Sequence, residues 1–258
     1  MLLFWNGNSM NKTVLSIMAH PDDAEFMCVG TLALLKEAGW DVHIATLTAG
    51  DCGSNKLGRE EIADVRRAEG AAAAKIIDAT YHCLECEDVF IMYNKPTLQK
   101  VISLIRTVKP TVVFTASPVD YFVDHENTST LARTACFACG VPNVECDCME
   151  PCEFVPYLYY VDAMEGKGIF GEAIVPSIYV DISTKIDVKE KMLCCHVSQR
   201  DWLLEHHHID EYVIAMKEMS KERGDEVGCG YAEGFRQHLG HAYPSDNILK
   251  EILGDLIK

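Results

Sequence analysis

The sequence predicts an α/β fold, a doubly wound, mostly parallel sheet with helices on both faces, and three observations lead there. Short apolar runs at residues 13–18, 42–48 and 111–115 alternate with longer stretches whose apolar residues recur at helical three-and-four spacing. The first run reads as a buried strand of the parallel kind, and the second has continuous β-branched character. No repeat, low-complexity segment or linker breaks the alternation, so residues 10–258 read as one domain, with residues 1–9 as an N-terminal extension.

The elements follow in order. A first strand at 13–18 leads into a helix carrying Phe26, Val29, Leu32, Ala33 and Lys36, with Pro21 suited to its first turn and Gly39 to its end. The second strand at 42–48 runs into a glycine-rich loop through Gly50 and Gly53, then a helix at 59–77. On that helix Arg66 and Glu69, three apart, read as a weak surface pair. A short third strand near Tyr81, a helix at 97–108 and the strand at 111–115 complete this half. A helix with Leu131, Ala132, Ala135 and Cys136, strands at 157–161 and 177–182, and helices at 185–196 and 202–223 make up the rest.

Composition narrows the function. With 258 residues, 48% apolar and 24% charged, the chain can bury one large α/β core. A formal net charge of −16 repels phosphate backbones and anionic lipid heads, which leaves a small neutral or cationic molecule, or a metal, as the expected partner; homo-oligomerisation stays open. Apolar runs fall far short of the roughly 20 residues of a membrane helix, and the N-terminal run is too short for a signal-peptide core, so a cytoplasmic location is expected. Twelve cysteines then read as reduced thiols. Cys83 with Cys86, and Cys136 with Cys139, have zinc-site spacing, but the second pair falls inside a helical pattern and buried inert thiols are the better reading.

The chemistry concentrates in His20-Pro21-Asp22-Asp23, just past the first strand, and Asp124-His125, past the fourth. Strands one and four are neighbours at the switch point of such sheets, where ligands bind. His20, Asp23 and His125 would converge as three ligands with an open position, the arrangement of a catalytic zinc site holding one Zn2+ per chain. Two histidines and a carboxylate also suit Fe2+ or another divalent ion. Asp22 is then free to move a proton, and Asp124 can orient a catalytic group. The plainer alternatives are a turn with a solvated acid pair, and Asp120 and Asp124 as helix-capping acids. His206-His207-His208 fan about 100° apart on a helix and read as solvent-facing. A nucleotide-binding enzyme is disfavoured, because acids follow strand one where a pyrophosphate would sit.

Together with Thr48-x-Gly50, Gly53-Ser54, Arg66-x-x-Glu69, Val180-Asp181-Ile182-Ser183, His196-x-Ser198-Gln199 and Tyr231-Ala232-Glu233-x-Phe235, these motifs resemble the LmbE-like, or PIG-L-type, zinc-dependent N-deacetylases across nearly the whole chain. The resemblance implies a Rossmann-like fold, zinc on His20, Asp23 and His125, Asp22 as general base, and removal of acetyl from an amino sugar of the N-acetylglucosamine type. The chain departs from the family's His-x-Asp-His at Phe122-Val123-Asp124-His125, so the first histidine, expected to help stabilise the oxyanion, is missing. Tyr121, His238 and His241 are candidates to replace it. Arg66, Asp51, His238 and His241 are the candidate substrate-binding residues, with specificity expected in loops 49–58, 117–124 and 140–156. A non-catalytic or weakly active metal- and sugar-binding module is the alternative.

Overall fold

The computed structural model describes residues 11–148, 150–200 and 211–258; residues 1–9 and the triplet His206-His207-His208 lie outside them. Strands β1 (Thr13–Met18), β2 (Asp41–Thr48), β3 (Thr80–Cys86), β4 (Val112–Thr115), β5 (Tyr157–Val161), β6 (Ile178–Asp181) and β7 (Ala232–Gln237) form one sheet in the order β3-β2-β1-β4-β5-β7-β6. The first five are parallel, with Thr13 opposite Asp41 and Val14 opposite Val112. β7 runs antiparallel between β5 and β6, giving the mostly parallel, doubly wound α/β sheet that the alternation predicts. β1 lies between β2 and β4, the switch point at which their C-terminal loops meet.

Helices among the described residues include α1 (Asp23–Met27), α2 (Val29–Glu37), α3 (Arg59–Ile76), α4 (Lys95–Val108), α5 (Val123–Ala138), α6 (Ile186–Leu193), α7 (Glu211–Val227) and α8 (Ile248–Leu253). Period-two alternation along β1 sends Val14 and Met18 into one core with Leu32, Leu35, Ala73, Met192, Phe235 and Leu249, while Leu15 and Ile17 enter the other with Val101, Ile105, Leu131 and Ala135. So α4 and α5 cover one face, and α2, α3, α6 and α8 the other. α4 starts where Asn94 accepts the Thr97 N–H at 2.9 Å with proline in the first turn, and ends at Lys109, which adopts a left-handed conformation ahead of Pro110.

Two local expectations are corrected. The helix after β1 breaks at Cys28 (φ −145°, ψ 2°) into α1 and α2, and Pro21 precedes the helix instead of opening it, because Asp22 is the cap residue. Arg66 and Glu69 do not pair: α3 lies over the loop that follows β2, and each side chain is drawn to a separate tertiary partner.

β7 and α8 are elements that periodicity did not reveal. β7 carries Glu233, Gly234 and Arg236, a poor strand composition, and its place is set from outside. Glu233, 3% exposed, accepts Gly30 N–H (2.9 Å), Thr31 N–H (2.7 Å), the Thr31 hydroxyl (2.6 Å) and Lys189 Nζ (2.5 Å). One carboxylate thus satisfies the first turn of α2 and neutralises a buried lysine. Glu233→Ala is expected to lower the free energy of unfolding by about 3–5 kcal/mol, as removal of one member of a buried pair does. Urea denaturation measures this, and a loss below about 1 kcal/mol would contradict it.

Candidate metal centre

The turn after β1 brings the first ligands together. The Asp23 carboxylate accepts the N–H groups of Ala19 (3.1 Å) and His20 (2.9 Å) through Oδ2, which fixes it at the strand end. His20 Nδ1 lies 3.5 Å from Oδ2, and His125 Nε2, from the first turn of α5, lies 3.5 Å from Oδ1. The donor atoms of His20, Asp23 and His125 all lie within 4.8 Å of one another. Two imidazoles and a carboxylate at this spacing fit a divalent cation such as Zn2+ or Fe2+.

The opposite nitrogen of each ring supports the fit. His20 Nε2 faces Asp88 (3.2 Å) and Asp124 (3.3 Å), and His125 Nδ1 meets Asp120 at 2.9 Å. A carboxylate behind each imidazole orients the ring and leaves Nδ1 of His20 and Nε2 of His125 turned inward, the usual support of metal-binding histidines. Asp124 is held in turn by the N–H groups of Val89 (2.9 Å) and Ile91 (3.3 Å), and Asp120 by that of Met164 (3.1 Å).

Electrostatics follow this geometry. Burial disfavours the charge on His20, but Asp124, Asp23 and Asp88 outweigh it and hold the imidazole well above its ordinary value. For His125, burial is likewise overcome, by Asp23 and Asp120, and its value rises to about 10. Asp23 is pulled well below the usual carboxylate range, the two histidines prevailing over its burial. The metal-free cage therefore binds protons where it would bind a cation.

Asp22 sits beside the triad in a left-handed conformation (φ 104°, ψ −26°). Burial pushes its carboxyl above the ordinary value, against the pull of Arg66 3.5 Å away, so it is a better proton acceptor than a surface aspartate. Arg66 is buried, donates to the carbonyls of Pro21 (2.7 Å) and Gly50 (3.3 Å), and keeps an Nε–H with no partner among the described residues. A Cβ on Gly50 or Gly53 would overlap its guanidinium, which is what the glycines of this loop are for.

His20, Asp22, Asp23, His125, Arg66 and Tyr121 line one cavity of about 500 Å³. Tyr121 stands on its rim, edge-on to His125 with ring centroids 5.5 Å apart. Phe122 stacks on His20 (5.2 Å, 8° between planes), so an apolar ring occupies the position of the expected histidine. Asp124 is 1% exposed and lies behind His20, outside the cavity lining, where it can act only through that ring. Asp51 is also outside the lining, bound to Arg59 (2.8 Å) and the Asp88 N–H (3.1 Å). His238 hydrogen-bonds Tyr160 (2.9 Å) and His241 is exposed; neither lines the cavity, because β7 directs their segment toward α5. The C-x-x-C pairs enter no cluster of three metal-ligating groups among the described residues, and all twelve cysteines are free thiols.

The family profile described as "PIG-L: GlcNAc-PI de-N-acetylase" matches residues 15–136, the stretch that supplies the three ligands and Asp22. Over this stretch the chain is similar to the PIG-L family. Diacetylchitobiose deacetylase of Thermococcus kodakarensis is 27% identical over 235 residues, 87% of this chain and 82% of that one. 4-Oxalmesaconate hydratase of Pseudomonas putida is 33% identical over 138 residues, which span 50% of this chain and 54% of that relative. The crystal structure of the conserved protein TT1542 from Thermus thermophilus is 29% identical with a TM-score of 0.74, covering 91% of this chain and 99% of that one.

Asp88, Gln199 and Tyr212 are cavity residues that sequence reasoning missed. Asp88 follows β3 at the C-terminal edge of the sheet, a position that marks candidate ligands in any parallel sheet. Gln199 belongs to the quoted His196-x-Ser198-Gln199 motif and donates to the Gly53 carbonyl at 3.0 Å. Tyr212 has no local signal.

Alanine at His20, Asp23 or His125 is expected to abolish stoichiometric metal binding, as elemental analysis of the purified variants would show; full occupancy in all three would refute the triad. Metal ligation needs neutral imidazoles, whereas both metal-free histidines hold protons above their ordinary pKa. Zn2+ binding is therefore expected to release protons, and apparent affinity should rise with pH above neutrality. Chelator competition measures this, and an affinity independent of pH would contradict it.

Proposed function

We propose that this chain is a metal-dependent N-deacetylase that hydrolyses the acetamide of a neutral or cationic amino sugar of the N-acetylglucosamine type, in the cytoplasm. The observation that carries the reading is a carboxylate base, Asp22, beside a three-ligand cation site on the floor of an open cavity. The diacetylchitobiose deacetylase that aligns with 87% of the chain supports the substrate class. No helix among the described residues is long and apolar enough to cross a membrane.

A divalent ion held by His20, Asp23 and His125 would supply Lewis acidity toward the amide carbonyl and an attacking water. Asp22 takes the proton of that water and returns it to the departing nitrogen, both within one cavity. Asp120, Asp88 and Asp124 keep the imidazoles oriented. Because Phe122 cannot donate a hydrogen bond, a donor toward an oxyanion has to come from another cavity residue, and the Tyr121 phenol on the rim is one such donor. Asp51, His238 and His241, outside the lining, are not assigned to substrate within one protomer.

The hydratase relative favours a second reading, addition of water to an unsaturated acid by the same site. Release of acetate from N-acetylated mono- and disaccharides, against loss of conjugated absorbance from unsaturated acids, separates the two. On the accepted amide, Asp22→Asn is expected to keep its metal and lose turnover by roughly 10²-fold or more. A wild-type rate in that variant would assign the proton to another residue.

A further inference from the structure

Asp22 is gripped at both oxygens, and one grip comes from a distant part of the chain. Oδ1 faces Arg66 Nη2 at 3.5 Å, while Oδ2 accepts the phenolic O–H of Tyr212 at 2.5 Å. Tyr212 stands on α7, 190 residues away, lines the cavity, and rests its ring against Phe26 of α1 with centroids 6.2 Å apart. The Asp22 backbone lies in the left-handed region, which an aspartate adopts at some strain, and is anchored by the Phe26 N–H on its carbonyl (2.9 Å) and by Arg66 on the carbonyl of Pro21 (2.7 Å). A strained backbone holds the carboxylate out over the cavity but does not set its rotation about the terminal bond, which is broad for aspartate. A hydrogen bond on one oxygen and an ion pair on the other do set it.

We propose that Tyr212 is the positioning residue of the base: its hydroxyl occupies Oδ2 and locks the carboxylate plane of Asp22, so that Oδ1, held only by the longer Arg66 contact, takes the proton of the attacking water. It acts through Asp22 and does not touch substrate. The inference rests on the deacetylase reading above. It explains why helix α7, which supplies no metal ligand, closes one wall of the site.

The test is a double-mutant cycle in the metal-loaded protein with Tyr212→Phe, Asp22→Asn and the pair. Tyr212→Phe is expected to lower kcat about tenfold to a hundredfold, leave KM within about twofold and keep the metal content. In the Asp22→Asn background the same change should alter the rate less than about twofold, since its only route of action is gone. An unchanged kcat in Tyr212→Phe, or an equal loss in both backgrounds, would overturn the proposal, the latter by making Tyr212 a direct donor to substrate. Urea unfolding of the same four proteins reads the contact without activity: coupled changes in stability are expected, and additive ones would overturn it. If wild-type protein releases no acetate, the deacetylase reading fails and the positioning role falls with it, while the stability cycle still decides the hydrogen bond.

Discussion

Asp23 ties together groups that the chain places more than a hundred residues apart. One oxygen accepts two backbone N–H groups at the end of β1, and the other faces an imidazole delivered by α5. The second connection depends on β1 and β4 being hydrogen-bonded neighbours, since only then do the loops after them share one crevice. A different strand order would leave His20 and His125 on separate edges. The metal centre is in this sense a property of the sheet before it is a property of its ligands.

Charge arrangement is the second organising theme. Asp22, Asp23, Asp88, Asp120 and Asp124 crowd two histidines and Arg66 in a largely buried volume, an assembly unstable unless protons or a cation balance it. The fold meets that demand in layers: backbone N–H groups hold the outer acids, the outer acids hold the rings, and the rings hold protons that a metal displaces. The same logic recurs away from the site, where Glu233 satisfies both Lys189 and the start of α2.

Several motifs become intelligible as braces. Ser198 donates its N–H (2.8 Å) and hydroxyl (2.7 Å) to Glu69, and His196 lies 3.5 Å from Glu25, so the segment after α6 is fastened to α3 and α1 at once. With Gln199 on Gly53, these contacts hold the glycine loop against the Arg66 guanidinium. The loop gives up side chains so that a buried arginine can reach the cavity.

The local sequence determined the parallel-sheet architecture, the strand ends bearing chemistry, and the candidate ligands with Asp22, because buried strands and ligand motifs write their signals within a few residues. The bounds of α3 and α4 were legible to within two positions for the same reason. What only the tertiary structure decided are the partners supplied across the chain: Asp88 and Asp120 behind the histidines, Tyr212 on the base, the burial of Arg66, and the exclusion of Asp51, His238 and His241 from the cavity lining. β7 belongs with these, since its strand state comes from pairing with β5 and β6 and not from its own composition. Such contacts arise from packing between elements distant in sequence, and nothing in the spacing of residues along one segment records which side chain another segment will present to it.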